Sequence, residues 1–267
     1  MTQLRPEQPT PDYVPGHDLL AGKVVVVTAA AGAGIGAAVV RRALEEGAKA
    51  VVFSDTHERR LAEAEEALAA EFGADRVRQL VCNVTKEEDI QAILDAAEEF
   101  GGVDVMVNNA GLGGTDSILE VTDETWNRVI DITLTGTMRA TRAVGQRFVA
   151  AGKQGVIVNN ASVIGWRAQE GQAHYAAAKA GVMALTRCSA LDLAPHGIRV
   201  NAVSPSLAMH PFLEKVTSPE LLVELKQREA FGRAAAPWEV ANVMVFLASD
   251  YSSYLTGEVI SVSSQHA

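Results

Sequence analysis

Short, β-branched apolar runs recur along the chain, separated by longer stretches in which apolar and polar positions alternate with helical spacing. The apolar runs are VVVVT (24–28), VVFSD (51–55), VRQLVC (77–82), VDVMVNNAG (103–111), GVIVNNAS (155–162), IRVNAVSP (198–205) and GEVISV (257–262). Helical periodicity fills 34–47, 58–72, 86–100, 122–151, 171–194 and 238–249. Strands without an apolar/polar alternation are buried on both faces, as in a parallel sheet covered by helices, and right-handed crossovers supply those helices. The pattern predicts one doubly wound α/β domain over residues 22–267, with a seven-stranded parallel sheet and helices on both faces.

Two segments fall outside this rhythm. Residues 1–21 hold Pro6, Pro9, Pro11 and Pro15 among polar positions, which resists helix and sheet and reads as an extended arm packed on the body. Residues 206–236 interrupt the order between the sixth strand and the last helix, with a helical pattern of their own at 219–231. Pro211, Pro219 and Gly232 act as breakers near its ends, and Phe212, Leu213, Leu221, Leu222, Leu225 and Phe231 are too many apolar side chains for a solvated loop. The segment is expected to be a helical substrate lid, mobile without ligand.

Composition narrows the function classes. With 48% hydrophobic residues the chain can bury a sizeable core, and a net charge of -10 with no basic stripe argues against general affinity for nucleic acid or an anionic membrane. A small-molecule substrate is expected. Cys82 and Cys188 are too few for a disulfide scaffold or a zinc site, so no metal is expected, and both read as buried and reduced. Neither a signal-like N-terminus nor an apolar run near the ~20 residues of a membrane helix is visible, which points to the cytoplasm.

The first strand feeds AAAGAGIGAAVV, a glycine-rich turn that opens a helix. Glycines there let the backbone approach a pyrophosphate, whose charge the free N–H groups of the helix start stabilise, so the context is that of a Rossmann-type dinucleotide site. Thr28, Gly32, Gly34, Ile35 and Gly36 form the candidate cradle, although the spacing departs from G-x-G-x-x-G. Asp55, at the end of the second strand, is placed to accept both ribose hydroxyls of NAD and to repel the phosphate of NADP; the alternative is that Asp55 caps the following helix. Arg59 and Arg60 follow one turn later, within reach of a 2′-phosphate, but NAD is preferred over NADP.

Tyr175 and Lys179 lie four residues apart on a helix, on one face, with alanines between them. A free phenol titrates near pH ~10, and a neighbouring cation favours the phenolate, so the pair suits proton transfer at neutral pH.

With the glycine-rich turn, Asn108-Asn109-Ala110-Gly111, Ser162 and Tyr175-Ala176-Ala177-Ala178-Lys179, the chain resembles the short-chain dehydrogenase/reductase family from Lys23 to about Val262. The resemblance implies hydride transfer between a nicotinamide cofactor and an alcohol or ketone. It implies that Tyr175 is the general acid/base, that Lys179 lowers its pKa and binds the nicotinamide ribose, and that Ser162 hydrogen-bonds the reacting oxygen. Thr133 stands where the family has an Asn whose carbonyl holds a relay water. Asn83, with Val84, replaces the family's Asp after the third strand and is expected to accept from the adenine. Asn109, Ala110 and Gly111 line the adenosine side or brace the sheet, while Pro205 and Ala208 lie by the nicotinamide. By resemblance the two long helices 122–151 and 171–194 pair across a two-fold axis, so a homo-oligomer, dimer or tetramer, is expected.

The substrate is expected among Gly113, Gly114, Trp166, Arg167, His174 and His210, which flank the catalytic strand ends. Trp166 beside Arg167 offers a platform and a cation for a ring carrying an acid or thioester tail. NNASVIGWRAQ, HYAAAKAGVMALTRCSA and YSSYLTGEVISVSSQ look most like an actinobacterial branch of the family associated with steroid degradation, acting on C/D-ring remnants held as CoA thioesters. The alternative is a 3-oxoacyl-thioester reductase of lipid metabolism; a dinucleotide sensor that lost its chemistry is disfavoured because Ser162, Tyr175 and Lys179 are all kept.

Overall fold

The structure, a computed structural model, describes residues 6–210, 213–214 and 218–264. Strands β1 (Val24–Val27), β2 (Ala50–Asp55), β3 (Val77–Val81), β4 (Val105–Asn108), β5 (Val156–Asn160), β6 (Arg199–Pro205) and β7 (Val259–Val262) form one parallel sheet in the order β3-β2-β1-β4-β5-β6-β7. The crossovers run through α1 (Ile35–Glu45), α2 (Glu58–Phe72), α3 (Glu87–Glu98), α4 (Asp123–Ile130), α5 (Gly136–Ala150), α6 (Ala173–Leu193), α7 (Pro219–Arg228) and α8 (Pro237–Ala248). Strand order reverses between β1 and β4, so a crevice opens beyond their C-terminal ends.

Alternate residues of each strand feed opposite faces. Val25, Val27, Val51 and Phe53 pack under Val39, Val40 and Ala43 of α1 and Val240 and Met244 of α8, whereas Val24, Val26 and Val52 pack against Ile90, Ile93 and Leu94 of α3 and Val144 and Phe148 of α5. Both faces of the valine runs are therefore buried, at roughly 1.5–3 kcal/mol for each side chain removed from water.

The expected helix 122–151 is interrupted. Between α4 and α5 the chain makes a π-helical turn at Asp131–Thr135, with Thr133 buried inside it. Such turns have no compositional signature and occur frequently at functional sites.

The arm is fastened by one buried ion pair. Arg42 and Glu46 of the first helix meet at 2.5 Å, both shielded from solvent. The Glu46 carboxylate accepts the backbone N–H groups of His17 at 2.7 Å and Leu19 at 3.0 Å, and the Arg42 guanidinium donates to the carbonyls of Val14 and Pro15. Further out, Tyr13 stands edge-on to Trp238 at 5.2 Å, and the Gln8 N–H donates to the Phe231 carbonyl at 2.9 Å.

That last contact reaches the 206–236 segment, whose two ends are joined. The Ala235 N–H donates to Leu207 O at 2.8 Å and the Met209 N–H to Ala235 O at 2.9 Å. The buried Glu229 accepts from the Leu207 N–H and from the Ser264 hydroxyl, at 3.3 and 2.9 Å. The base of the expected lid is thus fixed. Its central helix, α7, is N-capped by Ser218 and buries no residue; Pro211 and Phe212 lie outside the described residues.

Cys82 is buried, and burial pushes its thiol up to about 11. Cys188 corrects the expectation: it is exposed, because it lies on the outer face of α6, opposite Val182, Met183, Thr186 and Ala190. Among the described residues no helix is long and apolar enough to cross a membrane, and no cluster could hold a metal ion.

Candidate active site

Every element of the site leaves the C-terminal edge of the sheet. Ser162 lies just past β5 and is nearly buried; it caps a 3-10 turn by accepting from the Ile164 N–H at 3.3 Å. Its hydroxyl faces Tyr175, in the first turn of α6, closely enough to favour the phenolate. Lys179 follows on the same helix face, with its ammonium 5.6 Å from the Tyr175 ring centroid and donating to the Asn160 carbonyl at 2.5 Å. The loop leaving β4 closes this corner: a Cβ on Gly111 would come within 3.3 Å of the Lys179 ammonium and 3.7 Å of Thr133 Cγ2, so the loop packs tightly on the cation.

Burial sets the protonation states. It raises the Tyr175 phenol above its ordinary value, with the Ser162 hydrogen bond acting in the opposite direction, and it lowers Lys179 to about 8. The ammonium stands over the ring and donates to the Asn160 carbonyl. Tyr175 is therefore a protonated donor aimed at the Ser162 side of the crevice.

Thr133 works through its side chain as well as its backbone. Its hydroxyl bridges the N–H and carbonyl of Leu112, at 3.0 and 3.2 Å, pinning the β4 exit loop to the π turn. Its carbonyl, the group expected to hold a relay water, accepts from the Thr137 hydroxyl at 2.8 Å. Thr137 has no signal of its own in the sequence.

The glycine turn fits a dinucleotide. The helix start at Gly34 has no side-chain cap, so the first N–H groups of α1 are available to an anion. A Cβ on Gly36 would lie 2.5 Å from both the Ala29 carbonyl and the Asn109 amide nitrogen, which excludes any larger residue. Ala29, where the family has glycine, adopts a φ of 54° and carries that turn as a strained non-glycine residue.

Asp55 ends β2 beside this cradle. It does not cap α2: His57 does, accepting the Arg60 N–H at 3.4 Å. The Asp55 carboxylate instead accepts from the Ala31 and His57 N–H groups at 3.3 and 3.2 Å, with Arg60 at 3.9 Å, while Arg59 is held by Glu63.

Several expected cofactor contacts are structural in this state. The Thr28 hydroxyl accepts from the Asn109 and Ala110 N–H groups, and the Asn109 side chain donates to the Thr28 and Ala29 carbonyls and accepts from Asn160, so this set locks β1 to β4. The Asn83 side-chain oxygen is taken by the N–H and hydroxyl of Thr85, leaving its NH2 rather than the expected acceptor for an adenine. Val84 packs beneath Gly136. Pro205 ends β6, and Ala208 is buried in the bridge to Ala235.

Among the expected substrate residues, Gly113 lies against the Tyr175 ring, its position for a Cβ 3.7 Å away. Trp166 is 42% exposed, and Arg167 has one guanidinium nitrogen buried without a hydrogen-bond partner among the described residues. Two residues depart from expectation. His210 sits over Gly34 on the nucleotide side, because the chain leaving β6 turns back across the start of α1. His174 is fully buried beneath Gly114 and does not face the open crevice.

A family profile described as enoyl-(acyl carrier protein) reductase matches residues 29–264. The chain belongs to the short-chain dehydrogenase/reductase family. A Mycobacterium tuberculosis (strain ATCC 25618 / H37Rv) protein, (5R,7aS)-5-hydroxy-7a-methyl-1-oxo-2,3,5,6,7,7a-hexahydro-1H-indene-carboxyl-CoA reductase, is 61% identical over 96% of this chain and 97% of its own. The crystal structure of a short chain dehydrogenase from Mycobacterium smegmatis aligns with a TM-score of 0.85 at 56% identity, covering 97% of this chain and 99% of that one. A 3-oxoacyl-[acyl-carrier-protein] reductase of Vibrio cholerae is 36% identical over 91% of this chain and 97% of its own. As a member of the short-chain dehydrogenase/reductase family, the protein is a nicotinamide-dependent oxidoreductase.

Proposed function

We propose that this short-chain dehydrogenase/reductase interconverts a ketone and a secondary alcohol on a bicyclic ring carried as a CoA thioester, with NAD as its cofactor. The likeness to the indene-carboxyl-CoA reductase carries the substrate class, and it exceeds the likeness to the 3-oxoacyl reductase by a wide margin, 61% against 36% identity.

The side chains divide the work. Ser162 holds the reacting oxygen, and Tyr175, protonated through burial, gives that oxygen a proton in reduction and takes it back in oxidation. Bound nicotinamide supplies or accepts the hydride. Lys179 holds the ribose and, with Asn160 and Thr133, returns the proton toward solvent. Asp55 accepts the ribose hydroxyls and selects NAD. Trp166 supports the ring and Arg167 meets the polar tail, while α7 closes over the fixed base of the 206–236 segment.

The test is turnover with NADH or NADPH of bicyclic keto thioesters and of 3-oxoacyl thioesters. The reading predicts preference for NADH and for the ring compounds. A preference for linear 3-oxoacyl thioesters with NADPH overturns both halves of it.

A further inference from the structure

His174 and Tyr175 open α6 side by side, and each is roofed by a glycine of the loop that leaves β4. A Cβ on Gly113 would lie 3.7 Å from the tyrosine ring, and one on Gly114 would lie 3.3 Å from Nε2 of His174. The first distance is ordinary van der Waals contact and the second is tighter, so the loop is seated directly on two consecutive rings.

The same loop is fastened to the residues just before α6. The Asp116 N–H donates to the Gly171 carbonyl at 3.0 Å, and the Gln172 amide donates to the Gly114 carbonyl at 2.5 Å and to the Thr115 hydroxyl at 3.2 Å. A Cβ on Gly171 would meet the Thr115 methyl at 2.7 Å. Height above the tyrosine is thus set by a small number of contacts, of which the His174 ring is the innermost.

His174 is an expensive choice for that position. Its side chain is fully buried, and among the described residues neither ring nitrogen has a hydrogen-bond partner; the nearest carboxylate oxygen, Asp116 Oδ2, is 3.8 Å from Nε2. A buried polar group without a partner is destabilising, and an apolar side chain of similar volume avoids that cost. The histidine is explained if it acquires its partner during the reaction. A settling of the loop by about 1 Å brings the Asp116 carboxylate into the ordinary ~2.8 Å range of a hydrogen bond.

We propose that His174 is a positioning residue, which draws the 113–116 loop down onto Tyr175 by bonding Asp116 when substrate is bound. It acts through Gly113 and Gly114 on the orientation of the tyrosine and touches no reacting atom. The proposal rests on Tyr175 as the proton donor, and displacement of a reacting group by an ångström is enough to slow a reaction by up to ~10²-fold.

The experiment compares His174→Leu, His174→Asn, Asp116→Ala and the His174→Leu/Asp116→Ala double variant with the wild-type enzyme. Turnover is read with the bicyclic keto thioester and NADH, and hydrogen exchange is read over residues 112–117. Loss of the bond lowers kcat about ten- to a hundredfold in His174→Leu and in Asp116→Ala, leaves KM and NAD affinity within about threefold, and leaves the double variant no worse than either single one. His174→Asn, which keeps a donor, recovers most of the loss. Asp116 is on the surface, so its variant folds even where the histidine variant does not. Additive losses, or kcat within about twofold of wild type in Asp116→Ala with unchanged exchange, overturn the proposal. If wild-type enzyme turns over no bicyclic thioester, the substrate reading fails, and the same variants are read with the 3-oxoacyl thioester, exchange being measured with that substrate bound: substitution-independent protection of 112–117 sinks the latch, and faster exchange in both single variants upholds it.

Discussion

Lys179 carries the plainest consequence at the scale of single residues. Among the described residues its buried ammonium has no counter-ion, and burial lowers it from 10.5 to about 8. The unfolded chain therefore binds this proton more tightly than the folded one, and between pH 8 and 10.5 stability rises with pH as the folded lysine loses its charge. The shift corresponds to roughly 3 kcal/mol. In cofactor-free protein, unfolding by urea should show wild type gaining about that much relative to Lys179→Met across the window, and a pH-independent difference contradicts it. Asp55 makes the second prediction: Asp55→Ser removes a charge-assisted acceptor for the ribose, so NAD affinity falls by about one to two decades while NADP gains relative to it through Arg60. Equal use of both cofactors by wild type contradicts the role given to Asp55.

Residue chemistry was legible where local geometry is dictated by spacing. Tyr175 and Lys179 share a helix face because four residues span one turn, and Ser162 joins them because β5 ends beside α6. It was illegible where a polar group has several partners to choose from: the competition between Asp55 and His57 for the start of α2, the turn bonds of Asn83 to Thr85, and the Thr137 bond to the Thr133 carbonyl all depend on atoms brought together by the fold.

Among the elements, the strands were readable because two-sided burial leaves no polar alternation, and the 206–236 segment because it breaks the strand and helix rhythm. The π turn at Asp131–Thr135 was not, since the helical pattern of 122–151 continues through it. Nor was the anchoring of the arm, because Arg42 and Glu46 at i,i+4 spacing look like a surface pair; only the burial of both, at 4% and 0% exposure, shows that the arm covers them. Burial raises the Glu46 carboxyl, but the N–H groups of His17 and Leu19 and then Arg42 outweigh it and hold it below its ordinary value. Glu46→Ala leaves Arg42 buried and alone, so it should lower unfolding free energy by about 3–5 kcal/mol in denaturant titration. A loss under about 1 kcal/mol would mean that the arm is not fastened there.

For the molecule as a whole, the outer face of α6 is unusual in what it exposes: Ala177, Ala180, Ala184, Cys188 and Leu191, the last 77% exposed. Small side chains permit close helix approach, and a two-fold axis uses such a face twice, so light scattering should give a dimer or tetramer and Leu191→Lys should weaken it. A monomer at micromolar concentration contradicts this. Assembly and substrate class are secondary to the central claim, that the phenol of Tyr175 is the proton donor of a hydride transfer. Single-turnover oxidation of NADH by the bicyclic keto thioester tests it most directly. Tyr175→Phe should slow that step by ~10²–10⁴ with NADH affinity within a few-fold of wild type, whereas a variant that reduces the ketone at nearly the wild-type rate contradicts the mechanism.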